Sequence, residues 1–383
     1  MEVCVLGAGS WGTAVAHLIA QGGIPVRLWC RREEQARLIG ASGRNPHDLK
    51  GLLLHQDVRG TANLEEALAG TERVILAVPT QSVRPLLESL PPSAGPKRWL
   101  NLAKGLEIAT GDLVHRVVAS LRPKDPYSVL SGPSHAEEVA LGLPTAVVAA
   151  SRDLEEARAW QDLLNGPRFR VYTGEDVVGT EAGGALKNVV AVAAGIARAM
   201  GLGDNALAAL ATRGLAEMTR VAVRLGADPL TLSGLAGVGD LLATCYSLHS
   251  RNLRLGLAVG AGKTLEEARA ELGQVAEGAF TVQAVVRHGE RLGLDLPIAW
   301  GVHRVLFEGA SPRLLMEDLL SRDPKPERPE ASPLGASPKG PGPPKGAPAR
   351  YLVPPGREST QARRAGRLAI RGIPPSTAPR CHT

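Results

Sequence analysis

A glycine-rich turn near the start of the sequence constrains the fold more than any other feature. A short apolar run leads into Gly7, Gly9 and Gly12, at the spacing G-x-G-x-x-G, and a helical pattern follows at 14–21. In strand-turn-helix units of this kind the first glycine permits the tight turn, the second lets the backbone approach a pyrophosphate, and the third lets the helix pack closely on the strand. Free N–H groups at the start of the helix then face the phosphates. The turn therefore predicts a dinucleotide-binding site.

Strand-like and helical patterns alternate through the first half of the chain. After the glycine turn, strand-like runs recur at 25–29, 73–78, 98–103, 127–131, 145–150 and 169–173. Helix-capping residues Asn63 and Asp153 stand between some of these runs, each followed three positions later by a glutamate. This alternation predicts a mostly parallel, doubly wound sheet, here an α/β Rossmann-type domain over residues 1–175.

The pattern changes at residue 176, where the strand signals end. Helical periodicities follow at 177–200, 205–225, 253–259, 265–272, 282–292 and 298–308. They predict an all-α domain over residues 176–321.

The last 62 residues have a different composition from the rest of the chain. Residues 322–383 contain 14 of the 29 prolines, 12 lysines and arginines, and 4 acidic residues. We expect a disordered basic tail rich in proline and glycine, because such a segment cannot bury enough apolar surface to offset its ordering entropy. Its net charge of +8 exceeds the +6 of the whole chain, so residues 1–321 carry −2. The basic character therefore does not indicate a nucleic-acid-binding body.

Composition also bears on compartment and metal use. No apolar run reaches the roughly 18 residues that span a bilayer, and no basic and apolar leader is present at the start. The four cysteines, Cys4, Cys30, Cys245 and Cys381, form no C-x-x-C pair and no cluster with histidine. These observations predict a cytoplasmic protein with no membrane span and no metal site.

Three further segments carry residues that are suited to chemistry. Lys104, in NLAKGLE, follows a predicted strand on the sheet edge where open α/β sheets bind ligands. A second strand-end turn, 130–138, exposes small residues and backbone N–H groups. The helical stretch 185–190 places Lys187 among apolar residues.

With these segments the chain resembles the bacterial type of NAD(P)-dependent glycerol-3-phosphate dehydrogenase. The motifs GAGSWGTA, NLAKGLE, SGPSHAEEVA, ALKNVVAVAAG, GVGDLLATC, SRN and VAEG occur in that family's order, over roughly residues 1–325. The resemblance implies reversible, NAD(P)H-dependent reduction of dihydroxyacetone phosphate to sn-glycerol 3-phosphate, the backbone of glycerophospholipids. It also implies a small-molecule substrate as the partner, without nucleic acid or membrane, and is compatible with a homodimer.

The resemblance assigns the reaction to three side chains. Reducing a ketone requires a proton donor for the developing alkoxide, and Lys187 takes this role, with burial and the nearby Lys104 lowering its pKa toward neutrality. Lys104 is then a second cation that polarises the carbonyl and contacts the cofactor. Asp240 orients a lysine and a substrate hydroxyl. The competing interpretations are a lysine that extends to solvent and an aspartate that only caps a helix.

Binding residues also follow from the resemblance. Arg251 offers a bidentate fork to the substrate phosphate at a predicted helix start, and the competing interpretation of SRN is a polar turn. The implied substrate-binding residues are Lys104, Gly132, Ser134, Lys187, Asp240, Ser250, Arg251 and Asn252. The implied cofactor-binding residues are Gly7, Gly9, Ser10, Trp11, Gly12, Arg31, Arg32, Lys104, Ala136, Arg251, Val275 and Glu277.

The choice of cofactor depends on the segment after the second strand. NAD-specific folds place an acid there on the ribose hydroxyls, whereas this chain has Arg31 and Arg32 followed by Glu33. Arginines favour a 2′-phosphate, so we expect NADPH. NADH remains the alternative if Glu33 faces the ribose.

Other functions remain open from sequence. A dehydrogenase for a 2-hydroxy acid or for ketopantoate would share the two-domain plan. A non-catalytic dinucleotide sensor is opposed by the intact lysines, and a nucleic-acid binder is opposed by the lack of aromatic stacking motifs.

Overall fold

The computed structural model describes residues 1–273, 275–321, 323–324 and 326–327. Residues 1–322 form one compact unit. The predicted disordered tail, 322–383, lies outside the described residues except at four positions. The division into domains at 1–175 and 176–321 stays a prediction.

The first half of the chain forms a central sheet. Within the described residues its strands are β1 Val3–Leu6, β2 Val26–Trp29, β3 Val58–Thr61, β4 Arg73–Leu76, β5 Arg98–Asn101, β6 Tyr127–Ser131, β7 Thr145–Ser151 and β8 Phe169–Gly174. They lie in the order β3-β2-β1-β4-β5-β6-β7-β8. Neighbouring strands are parallel except β6 and β7, which are antiparallel. The mostly parallel, doubly wound sheet is thereby confirmed.

Helices cover both faces of this sheet. Alternate residues of β1 belong to different cores, because Val3 and Val5 pack in one apolar cluster and Cys4 and Leu6 pack in another. The helices of this half are α1 Ser10–Gln21, α2 Glu33–Ser42, α3 Leu64–Leu68, α4 Val83–Glu88, α5 Val114–Leu121, α6 Ala136–Ala140 and α7 Leu154–Leu164.

Two helix caps in this half are predicted from the sequence, and one strand is not. The Asn63 carboxamide accepts hydrogen bonds from the backbone of Glu65 and Glu66 at the start of α3. The Asp153 carboxylate accepts from the backbone of Glu155 at the start of α7. Both expected caps are confirmed. The sequence does not predict β3, because its VRGT run carries little apolar surface and pairs at the sheet edge.

The second half is helical, as expected. Its helices are α8 Val177–Ala199, α9 Asp204–Leu225, α10 Asp240–Tyr246, α11 Arg251–Gly260, α12 Leu265–Leu272, α13 Gly278–Leu292, α14 Pro297–Phe307 and α15 Pro312–Leu320. α8 is buried along nearly its whole length and contacts α9, α10, α11 and α13. A helix that is buried on all sides lies in the centre of a core, and its polar residues Glu181, Lys187 and Asn188 are buried with it. Among the described residues no helix is both long and apolar enough to cross a membrane.

Glycines set the close crossing of α8 and α11. A Cβ at Gly195 would lie 2.2 Å from the Leu253 carbonyl oxygen, and a Cβ at Gly256 would lie 2.1 Å from the Val192 carbonyl oxygen. A larger residue at either position would clash with the backbone of the other helix, so the two glycines allow this close contact. The contact places the amino-terminal end of α11 next to α8. That end carries Ser250 and Arg251.

Candidate active site

The glycine turn has the geometry that its spacing predicts. Gly7 has a φ of +120°, and a Cβ there would lie 2.6 Å from the Ala77 carbonyl oxygen. A Cβ at Gly12 would lie 2.0 Å from the Gly7 carbonyl oxygen. Gly9 differs, because no heavy atom outside its own neighbours lies within 4 Å of its Cβ position. Gly7 and Gly12 therefore hold the turn together, while Gly9 faces open space.

That open space is a cavity of about 300 Å³ at the carboxyl edge of the sheet. It brings the glycine turn together with the residues after β4, β5 and β6 and with helices α8, α10 and α11. The lining residues include the predicted Gly9, Ser10, Trp11, Lys104, Ser134, Ala136, Lys187, Ser250, Arg251, Asn252, Val275 and Glu277. Ligand-binding clefts of open α/β sheets lie at this edge.

Two lysines and one aspartate form the centre of the site. The Lys104 ammonium donates to Oδ2 of Asp240 at 2.7 Å and to the Gly132 carbonyl at 3.0 Å. The Lys187 ammonium donates to Oδ1 of the same aspartate. Asp240 is 2% exposed and Lys187 is 6% exposed. One buried carboxylate thus holds two ammonium groups beside the cavity.

This arrangement sets the charge state of Lys187. Burial lowers the pKa of Lys187 to about 8, and the positive charge of Lys104 adds to the decrease, while Asp240 acts in the opposite direction. Burial alone would raise the pKa of Asp240, but the charges of Lys104 and Lys187 outweigh it and bring that pKa below its ordinary value. The pKa of the group predicted as the proton donor is therefore closer to neutral pH than that of an ordinary lysine.

Asp240 reaches this position because of the turn before it. The residues Leu235–Gly239 form one π-helical turn, and a Cβ at Gly237 would lie 1.9 Å from the Leu232 carbonyl oxygen. Gly239 is the N-cap of α10, and Asp240 is the first helical residue. The alternative that Asp240 acts only as a helix cap is therefore wrong, since its carboxylate is bonded to both lysines.

The start of α11 lines another part of the cavity. Ser250 is its N-cap, and the hydroxyl oxygen accepts a hydrogen bond from the backbone N–H of Leu253 at 3.2 Å. Arg251 is exposed and lines the cavity. Asn252 is buried, and its side chain donates to Asn188 at 2.9 Å and accepts from the Gly278 N–H at 2.8 Å. The expected helix start is confirmed, and the Asn252 amide is largely engaged within the protein.

Six predicted binding residues lie outside the cavity lining. Gly7 and Gly12 are two of them, and they shape the glycine turn itself. Gly132 acts through its carbonyl, which accepts from Lys104, and Asp240 lies behind the lysines. Arg31 and Arg32 are exposed between β2 and α2, and neither lines the cavity. The structure therefore does not bring these two arginines to the reaction centre.

Two polar atoms of the lining have no hydrogen-bond partner among the described residues. They are Nε1 of Trp11 and Oε2 of Glu277. The other oxygen of Glu277 accepts from the Thr80 N–H at 2.9 Å, and burial raises the pKa of this carboxyl. Buried polar atoms are normally paired, so these two atoms mark places where a ligand can bind.

Comparison with known proteins identifies the family. Models of NAD-dependent glycerol-3-phosphate dehydrogenase match this chain, the N-terminus model at residues 2–157 and the C-terminus model at residues 176–317. The chain belongs to this family.

Similar proteins agree with the family match. A curated relative from Pelotomaculum thermopropionicum, named glycerol-3-phosphate dehydrogenase (NAD(P)+), is 47% identical over 325 residues, which is 84% of this chain and 93% of the relative. A relative of the same name from Anaeromyxobacter is 48% identical over 331 residues, or 85% of this chain and 100% of the relative. The crystal structure of glycerol-3-phosphate dehydrogenase from Coxiella burnetii is 37% identical, with a TM-score of 0.80, and covers 84% of this chain and 99% of that one.

Within this member of the family, two residues at the reaction centre were not predicted. Thr244 accepts a hydrogen bond from the Lys187 ammonium at 2.7 Å and donates to the Asp240 carbonyl at 2.6 Å. Asn188 donates to the Lys104 carbonyl at 2.9 Å. The sequence could have indicated both residues by their positions, because Thr244 lies one helical turn after Asp240 and Asn188 is adjacent to Lys187.

Proposed function

We propose that this protein reduces dihydroxyacetone phosphate to sn-glycerol 3-phosphate with NADPH, NADH being the alternative cofactor. The observation that carries the proposal is the pairing of Lys104 and Lys187 on the single buried carboxylate of Asp240, beside the cavity that also contains the glycine turn. The product would supply the glycerol backbone of phospholipids.

The residues around the glycine turn fit a dinucleotide. The open space at Gly9 and the amino-terminal end of α1 suit a pyrophosphate. The Trp11 indole N–H and Oε2 of Glu277, which have no partner among the described residues, offer one donor and one acceptor in the same cavity. When bound, the reduced nicotinamide would supply the hydride to the carbonyl carbon of the substrate.

The protein's own groups supply the proton and the electrostatic environment. Lys187 in its ammonium form donates the proton to the developing alkoxide, because its pKa near 8 keeps it charged at neutral pH and still able to lose the proton. Asp240 and Thr244 orient that ammonium. Lys104 places a second positive charge beside the substrate oxygen, where it would stabilise developing negative charge.

The phosphate end of the substrate suits α11. Arg251 presents a guanidinium on the cavity wall, and Ser250 lies at the amino-terminal end of the same helix. A guanidinium can make two parallel hydrogen bonds to a phosphate, and the helix dipole favours an anion at that end.

A spectrophotometric assay tests the proposed function. Purified protein is mixed with NADPH or NADH and with dihydroxyacetone phosphate, ketopantoate or a 2-oxo acid, and absorbance at the nicotinamide band is followed. We expect oxidation with dihydroxyacetone phosphate. Turnover only with ketopantoate or a 2-oxo acid would favour the other dehydrogenases, and cofactor binding without any turnover would favour a sensor.

We also infer that the enzyme works in the cytoplasm and forms a homodimer. The described cysteines Cys4, Cys30 and Cys245 are free and buried, which supports a reducing compartment. Sedimentation equilibrium of the full chain tests the homodimer, and a single monomeric species across the concentration range would contradict it.

A further inference from the structure

One face of α8 contacts the segment that carries Lys104 at three successive levels. Glu181 accepts a hydrogen bond from Asn101 at 3.3 Å. Gly184 lies under the Lys104 stem, since a Cβ there would be 3.4 Å from Cγ of that lysine. Asn188 donates to the Lys104 carbonyl at 2.9 Å. Positions spaced by three and four residues lie on one side of a helix, so one face of α8 packs against this segment along its length.

Asn101 transmits the contact from Glu181 to the backbone next to Lys104. Its carboxamide donates to the Ala103 carbonyl at 3.1 Å, and its oxygen accepts from the Ala103 N–H at 2.9 Å. The side chain thus holds both polar groups of the residue that precedes Lys104. Asn101 is fully buried, and Glu181 is 4% exposed.

Glu181 is itself fixed by a group of donors outside the cavity. Its carboxylate accepts from the His115 backbone N–H at 3.1 Å, from His115 Nδ1 at 2.6 Å and from the Tyr127 hydroxyl. None of these residues lines the cavity. Burial and the neighbouring Glu181 charge raise the pKa of Tyr127, so its hydroxyl remains a donor. These hydrogen bonds hold the Glu181 carboxylate in one position.

We propose that Glu181 is a positioning residue for Lys104: through Asn101 it holds the 101–104 backbone on α8 and so keeps the Lys104 ammonium on Asp240. The proposal rests on the proposed function, because it assigns Lys104 a part in the reaction. A shift of about 1 Å in a catalytic group can cost on the order of 10²-fold in rate, so a buried group beyond contact with substrate can affect turnover strongly.

A double-mutant cycle separates this role from general stabilisation. Glu181→Ala is measured in the wild-type background and in a Lys104→Ala background. We expect kcat to fall by about 10-fold to 100-fold in the first, but by less than about twofold in the second, because residues that act through one group are not additive. Equal losses in both backgrounds would overturn the proposal.

The pH profile gives a second readout. The Lys104 charge lowers the pKa of Lys187. If Glu181→Ala lets Lys104 move away, the pKa of Lys187 rises and the alkaline limb of kcat/KM moves to higher pH. An unchanged limb would contradict the proposal.

Glu217 provides a matched control on the neighbouring helix α9. It is also a buried glutamate, at 6% exposure, and its carboxylate accepts from the Ile298 and Ala299 N–H groups. Glu217→Ala should lower the Tm without changing the pH limb, and its kcat effect should be the same with and without Lys104.

Two further measurements keep the proposal testable if Glu181→Ala does not fold or the enzyme proves to have another substrate. Asn101→Ala removes the link but leaves Glu181 its other donors, and we expect the same non-additive loss. A crystal structure of either variant reports the Lys104 to Asp240 distance directly, independently of turnover. A distance still at 2.7 Å, as in the wild type, would overturn the proposal whatever the substrate.

Discussion

Strand β5 has a lysine near each end, and the two lie in opposite surroundings. Lys97 immediately precedes the strand, at the amino edge of the sheet, and Lys104 follows its last residue by three positions, at the carboxyl edge. The Lys97 ammonium donates to the Leu68 and Thr71 carbonyls, and burial lowers its pKa. Lys104 donates to Asp240 beside the cavity.

The comparison shows that burial does not by itself make a lysine catalytic. Lys97 is 5% exposed and Lys187 is 6% exposed, and burial lowers the pKa of both. They differ in partner and in access: Lys97 satisfies backbone carbonyls and does not line the described cavity, whereas Lys187 faces a carboxylate and the cavity. The first is expected to support the fold and the second to support the reaction.

The largest expected difference is between substitutions of these two lysines. Lys187→Ala should lower kcat for dihydroxyacetone phosphate by about 10² to 10⁴, because a general acid typically contributes that much, while NADPH binding persists. Lys97→Met should leave kcat nearly unchanged and lower the Tm. The Thr71 carbonyl loses its Lys97 donor at a cost of about 1 to 3 kcal/mol, whereas the Leu68 carbonyl still accepts from the N–H and hydroxyl of Thr71.

Steady-state kinetics, cofactor titration by fluorescence and thermal melts measure these effects. A Lys187→Ala enzyme that keeps more than half of the wild-type kcat would contradict the proton-donor role. A Lys97→Met enzyme with a large kcat loss and a normal Tm would contradict the contrast between the two edges.

The next effect concerns arginines at the two edges. Arg251→Ala should cost about 1.5 to 3 kcal/mol in kcat/KM with dihydroxyacetone phosphate, the typical value of a charge-assisted contact. Dihydroxyacetone, which lacks the phosphate, should be nearly insensitive. Arg98, at the amino edge, pairs with Glu72 and Glu156, so Arg98→Ala should alter only stability. Equal losses on both substrates would remove Arg251 from the phosphate site.

The sheet also shows which parts of the fold can be predicted from the sequence and which cannot. Local periodicity predicts most strands and the change to helices at residue 176, because those signals depend on adjacent residues. It cannot give the antiparallel direction of β7 or the edge strand β3, which depend on pairing with distant segments.

At the candidate site, the family motifs predicted that Lys104, Lys187 and Asp240 act together, and the structure brings the three together. The supporting residues were missed. Asn188 and Lys104 are 84 positions apart, and Asn101 and Glu181 are 80 apart. Contacts across such distances leave no spacing or periodicity in one sequence from which to infer them.

A smaller effect is expected in the pH dependence of kcat/KM, which depends on the groups at the carboxyl edge. Since the charged form of Lys187 donates the proton, kcat/KM for reduction should be level below pH 8 and fall about tenfold per pH unit above it. Asp240 favours the charged form, so Asp240→Asn should lower the pKa of Lys187 and move this limb to lower pH. Lys97→Met should leave the limb in place. A limb that moves upward in Asp240→Asn would contradict the assignment.

The smallest expected effect tests whether cofactor choice also belongs to the carboxyl edge. Arg31 and Arg32 follow β2 on that edge, but both are exposed and neither lines the described cavity. Their contact with a 2′-phosphate is therefore screened by solvent, and we expect about 0.2 to 1 kcal/mol from each, as for exposed ion pairs. Wild-type enzyme should prefer NADPH, and Arg31→Ala with Arg32→Ala should raise the KM for NADPH by about 2-fold to 30-fold, the sum of the two contacts, while the KM for NADH stays constant. The preference should weaken as salt rises, because a Debye length of about 8 Å at physiological ionic strength screens such charges.

Arg98→Ala serves as the control at the amino edge. A wild type that favours NADH, or a double variant that loses both cofactors in parallel, would show that these arginines do not recognise the 2′-phosphate and would leave Glu33 as the ribose contact.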